Sequence, residues 1–141
     1  MWHRMLLALI AAASFAAQHA VAQEIENPSQ RAVRENADRS VLAALQRNGA
    51  DLSKVHNIEH FFIARTREAL APLAPQLASR GFSPQPPSEG KDQRGSTIWT
   101  VLATKPTVPS EANIFADTLQ LVTLARQLGV VYDGWGALAV K

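Results

Sequence analysis

The chain reads as an α+β domain of the ferredoxin-like kind: a four-stranded antiparallel sheet in βαββαβ order with two helices on one face, preceded by an extra N-terminal helix. Three observations predict this. A strand pattern at 57–64 leads into a helical stripe at 66–80. A stronger strand pattern at 96–104 follows a turn-rich stretch. A capped helix from Ser110 then leads into a closing strand at 130–140. Right-handed crossovers fold such an order into one sheet with both helices on the same side.

The leading helix is expected over 27–48. Asn27 is its N-cap, Pro28 fits the first turn, and Gln30 stands where a capping box needs it. Val33, Ala37, Val41, Ala44 and Leu45 recur at steps of three and four, and Asn48-Gly49 ends the helix. Its stripe is rich in alanine, so it packs on a core built elsewhere. In Asn57–Ala64, Ile58, His60 and Phe62 alternate with Glu59, Phe61 and Ile63, and the β-branched and aromatic content favours a strand. Phe61 and Ile63 are expected to form its core-facing row.

Thr66–Arg80 carries Leu70, Leu73, Ala74, Leu77 and Ala78 on one helical face, closed by Gly81. Pro72 and Pro75 interrupt it. An interior proline costs about 3 kcal/mol, so the segment must kink or begin near Ala71. Phe82-Ser83 begins a short strand, and the Pro-, Gly- and charge-rich stretch 84–95 reads as a mobile connection. In the next strand Trp99, Val101 and Ala103 face one way and Ile98, Thr100 and Leu102 the other. Residues 105–109 form a stiff link. Ser110 caps a helix with Ile114, Thr118, Leu121, Val122, Ala125 and Leu128 on its buried face, ended by Gly129.

Composition narrows the function. Met1-Trp2-His3-Arg4, an apolar run over 5–13 and Ala20-Val21-Ala22 have the layout of an export signal cleaved after Ala22. That predicts a periplasmic or secreted domain of residues 23–141, with no stable membrane span once residues 1–22 are removed. The chain has no cysteine, which excludes disulfide, thiol-nucleophile and lipoprotein chemistry. It carries 14 basic and 12 acidic residues, and this near-balance argues against a nucleic-acid surface.

Two constellations carry chemistry. His56-Asn57-Ile58-Glu59-His60 matches H-x-x-E-H, which binds zinc when a helix places both histidines on one side. Here it runs into a strand, which separates positions 56 and 60 by roughly 13 Å, so no metal or other cofactor is expected. His56 and His60 are the only candidates for one. Tyr132-Asp133-Gly134-Trp135 reads either as a hairpin turn or as a glycine bulge in the last strand. Trp135 then either seals the core or anchors a partner. No serine sits in a nucleophile-elbow context, so catalysis has no support.

Five segments together resemble the regulator of ribonuclease activity B (RraB) family. They are Asp51-Leu52-Ser53-Lys54, Ile58-Glu59-His60-Phe61-Phe62, Trp99-Thr100-Val101, Val108-Pro109-Ser110-Glu111 and Tyr132-Asp133-Gly134-Trp135, in that order, within 36–140. The resemblance implies a non-catalytic regulator that acts by binding, with ribonuclease E as the family's protein partner. Ribonuclease E is cytoplasmic, so an exported copy would meet a different protein. Tyr132, Asp133, Trp135, Glu59 and His60 are the expected partner-binding residues. The alternative is a periplasmic small-ligand or metal-binding domain using His56, Glu59 and His60.

Overall fold

Asn27 opens the first helix as its side chain demands. Its Oδ1 accepts from the Gln30 N–H at 2.9 Å, while Gln30 Oε1 accepts from the Asn27 N–H at 3.0 Å. This reciprocal pair satisfies two of the helix's orphan donors. The computed structural model describes residues 26–141; the expected export signal, residues 1–22, lies outside them. By contact the chain divides into two units, Met1–Ala32 and Val33–Lys141. All further elements and the sheet belong to the second.

Helix α1 spans Pro28–Arg47 and is followed by strand β1, His56–Ala64. Two short helices come next, α2 at Arg67–Leu70 and α3 at Leu73–Ala78. Pro72 is where the expected single helix divides, because no N–H is available there to continue the ladder. Strand β2 is Ser83–Pro84, β3 is Ser88–Lys91 and β4 is Thr97–Thr107. Helix α4, Glu111–Leu128, and strand β5, Val131–Gly136, complete the chain.

All strand pairings are antiparallel, and the order across the sheet is β2-β4-β1-β5, with β3 also on β4. Strands β2 and β3 lie end to end along one margin of β4, at Thr104–Ala103 and Thr100–Thr97 respectively. They act as one interrupted edge strand, which makes the sheet the ferredoxin-like arrangement. Segment 84–95 is therefore not a free connection, since half of it is recruited by β4. Residues 105–107 likewise extend β4, with Lys105 opposite Ile58 and Thr107 opposite His56. The closing strand is shorter than expected and stops at Gly136. Beyond it, Val140 O accepts from Asp51 N–H at 2.7 Å.

One expected face is inverted and another is shifted around its helix. In β1 the core-facing row is His56, Ile58, His60 and Phe62, all fully buried, while Phe61 and Ile63 lie on the other side. In α1 the inward positions are Arg34, Asp38, Val41, Leu42 and Leu45; Val33 is 71 % exposed. Elsewhere the predicted faces hold in the main, although Ala74 and Ala78, expected inward with Leu70, Leu73 and Leu77, are exposed. Val101 and Ala103 point inward, and Ile114, Thr118, Leu121 and Ala125 are buried. Ser110 Oγ accepts from Asn113 N–H, and Gly129 closes α4 at φ 70°.

The helices all pack on the Phe62 side of the sheet, in two clusters. One gathers Phe62, Leu70, Leu73, Leu77, Phe82, Val101 and Leu121 beneath α2, α3 and α4. The other gathers Leu42, Leu45, Ile58, Ile114 and Trp135 beneath α1. Each large side chain so buried contributes roughly 1.5–3 kcal/mol.

Candidate functional site

The expected site residues converge on the β1–β5 seam. His60 pairs with Trp135 and Phe62 with Tyr132, so two residues, Asp133 and Gly134, stand opposite the single Phe61. This is a β-bulge, not a hairpin turn. Gly134 takes φ 102°, which side-chain-bearing residues rarely adopt. The extra residue changes the phase of the strand. Tyr132 and Trp135 are three positions apart, yet both point toward the helices, while Asp133 is left exposed.

Each inward aromatic is tied by its polar end. Trp135 is 8 % exposed, and its indole N–H donates to Asp38 Oδ1 at 3.0 Å. Thr118 Oγ1 donates to Asp38 Oδ2 at 2.6 Å. Arg34 Nη1 donates to Thr118 Oγ1 at 2.8 Å and to Phe115 O at 3.1 Å, and lies 3.6 Å from Asp38 Oδ2. Burial raises the Asp38 carboxyl above the ordinary carboxylate range, against the hydrogen bonds from Thr118 and Trp135 and the charge of Arg34. The network joins α1, α4 and β5. Sequence reasoning missed Arg34, Asp38 and Thr118 as a set; the one local signal was an i,i+4 Arg–Asp pair on the helix face that carries Val41 and Leu45.

His60 shares a 2.8 Å hydrogen bond between Nδ1 and Tyr132 Oη, and its ring meets Phe82 edge-on at 5.4 Å. Nε2 is buried and has no partner among the described residues. Burial, and then the charge of Lys105, lower its pKa to about 4, so the ring is neutral at physiological pH. Burial also raises the Tyr132 hydroxyl well above its ordinary value. Lys105 reaches across to Asp117 Oδ1 at 2.9 Å and stands 5.0 Å over the Phe82 ring.

His56 is occupied at both nitrogens. The Val140 N–H donates to Nε2 at 3.0 Å, so the ring proton sits on Nδ1 and is donated to Lys54 O at 2.9 Å. Neither nitrogen is left to hold an ion. Glu59, although adjacent to His60 in sequence, lies on the opposite side of the sheet, so H-x-x-E-H does not converge. Among the described residues no three His, Asp or Glu side chains are grouped to hold a metal. An open groove of about 400 Å³ runs between α1, α4 and β5, lined by Val41, Val122 and the Tyr132–Trp135 segment.

Fold and seam together define a small α+β domain whose polar side chains brace the sheet from the helix side and leave the Asp133 carboxylate exposed. The RraB model, "Regulator of ribonuclease activity B", matches residues 35–137, and the chain belongs to that family. Proteins of that name are among its relatives. The one from Escherichia coli (strain K12) is 29 % identical over 115 residues, covering 78 % of this chain and 80 % of the relative. That from Pseudoalteromonas atlantica is 28 % identical over 104 residues, 74 % and 89 % of the two chains. That from Proteus mirabilis is 29 % identical over 98 residues, 70 % and 68 %.

Proposed function

We propose that the chain acts without catalysis, by binding a protein through the β1–β5 margin. Asp133 and Glu59 are the contact groups, and His60, Tyr132 and Trp135 hold that margin in shape from beneath. The observation that carries this reading is the bulge. It turns both aromatics inward and leaves the Asp133 side chain exposed at the edge of the sheet. Family membership supports a regulatory role, since the relatives are regulators of ribonuclease activity.

The partner depends on compartment. A cytoplasmic chain would meet ribonuclease E. The sequence of residues 1–22 has the layout of an export signal, so this copy is removed to the periplasm or beyond and restrains a different protein there. Epitope-tagged protein isolated separately from cytosol and cell envelope tests both parts. The expected outcome is a mature chain beginning at Gln23 in the envelope fraction, with a stoichiometric protein partner. Ribonuclease E co-purifying from the cytosol with a chain that still begins at Met1 would overturn the export. Recovery of no stoichiometric protein from either fraction would overturn the binding role.

A further inference from the structure

We propose that the helix-free face of the sheet docks a segment of partner protein in which basic side chains flank aliphatic or aromatic ones. This rests on the protein-binding reading above and names the chemistry of its partner. All helices cover the Phe62 side, and neither hydrophobic cluster, nor the residues packed against it, includes Phe61, Ile63, Ile98 or Leu102 of the opposite side. An antiparallel sheet with one open face ordinarily alternates apolar inside with polar outside. This one does not. Phe61 stands opposite Leu102, and Ile63 opposite Thr100 on one side and Val131 on the other. Ile98 extends the row. Phe61, Ile63, Ile98 and Leu102 are all half-buried, and Val131 is 57 % exposed. A continuous apolar strip of this kind on a soluble domain marks an interaction surface.

Charge selects the occupant. Glu59 stands on the same row as Phe61 and Ile63, and the bulge leaves Asp133 opposite Phe61. No ion pair among the described residues engages either carboxylate. The basic groups nearby are spoken for: Arg65 pairs with Asp92 at 2.7 Å, and Lys105 points through the helix side to Asp117. The face is therefore negative although the whole chain carries a formal charge of +2. Two copies face to face would bring four carboxylates into one drying layer, and a phosphate backbone would be repelled. A segment carrying Lys or Arg beside Leu, Val or Phe satisfies both features at once.

Three short synthetic peptides test the assignment: one alternating Leu and Lys, one alternating Leu and Glu, one alternating Ser and Lys. Each is titrated into 15N-labelled protein. The Leu/Lys peptide is expected to move the amide resonances of Phe61, Ile63, Leu102, Val131 and Asp133, and to bind about tenfold more tightly than either control. Glu59→Gln combined with Asp133→Asn should weaken it by about tenfold and flatten its salt dependence, with the unfolding midpoint unchanged. Val131→Ser, at an exposed position, should weaken it while leaving the fold intact even where Phe61→Ser unfolds the chain. Equal affinity for the Leu/Glu peptide would sink the proposal. So would resonance shifts confined to a separate groove between α1 and the start of α4, lined by Leu42, Leu52 and Pro109, or self-association that Val131→Ser abolishes, which would assign the face to a second copy. Because the titration uses no native partner, its failure leaves the outcome of the fractionation experiment standing, and the reverse.

Discussion

His60 is a titratable ring in a place that admits only its neutral form, and this makes stability depend on pH. Its folded pKa of about 4 lies below the ordinary 6.5, so the unfolded chain takes up the proton first as pH falls. The stabilisation is complete above 6.5 and is lost on the way down to about 4, to a limit of roughly 3 kcal/mol. Asp38 acts with opposite sign. Its folded pKa is raised, so protonation favours the folded state and offsets part of the loss near the carboxylate range. Urea midpoints measured between pH 4 and 7.5 should slope upward, and His60→Phe should remove most of that slope. A parallel slope in the variant would mean that other groups carry it. The Trp135–Asp38 bond offers a second test. Trp135→Phe keeps the ring but strands a buried carboxylate oxygen, at about 1–3 kcal/mol. Asp38→Asn in the same chain should recover part of that loss, read as a coupling in a double-mutant cycle.

At this scale the sequence was least readable. His56 and His60 look polar in a pattern count, which is why Phe61 and Ile63 were expected inward instead. Their actual partners, Val140 and Tyr132, lie 84 and 72 residues away, beyond any local signal. The same holds for Asp38, whose acceptor oxygens are satisfied from α4 and β5.

Elements bounded by local chemistry were readable in advance. The Asn27–Gln30 box, the Ser110 cap and the Gly129 terminus each involve residues a few positions apart, so the sequence displays them whole. Ser110→Ala should cost about 1 kcal/mol in thermal or chemical unfolding, since Asn113 N–H then loses its acceptor. Strand β3 was invisible because Ser88-Glu89-Gly90-Lys91 has no strand propensity of its own, and β4 imposes the conformation through pairing. The bulge at Gly134 is the element-scale feature most open to attack. A Cβ there meets nothing within 4 Å, so Gly134→Ala is a test of backbone conformation free of steric clash. At φ 102° it should cost about 1–3 kcal/mol and accelerate amide exchange along β5. Unchanged exchange at Tyr132 and Trp135 would show that the bulge tolerates another geometry.

Across the whole second unit, structure is divided between its two sheet faces. Both hydrophobic clusters and the two most strongly perturbed side chains, His60 and Tyr132, sit on the helix side. The other side contributes little to the core and is free to carry charge and apolar surface for a partner. Substitutions should separate accordingly. Changes at Asp38, His60 or Trp135 should lower stability and binding together, whereas Glu59→Gln and Asp133→Asn should alter binding with less than about 0.5 kcal/mol change in unfolding. Comparing unfolding midpoint with peptide affinity across these variants checks the division. A destabilised Asp133→Asn would blur it.

The two lateral margins of the sheet have a further consequence for solutions of high concentration. On one margin the Gln85 N–H is turned inward onto Leu102 O of β4, and Pro86 and Pro87 then interrupt the edge strand before β3 begins. On the other, the bulge twists β5 out of register with any straight newcomer. Neither border can template endless stacking of identical chains, so a concentrated sample held for days should give no thioflavin-positive fibrils. Replacing Pro86 and Pro87 with valine opens one of those borders, and fibre growth is then expected to start from that side.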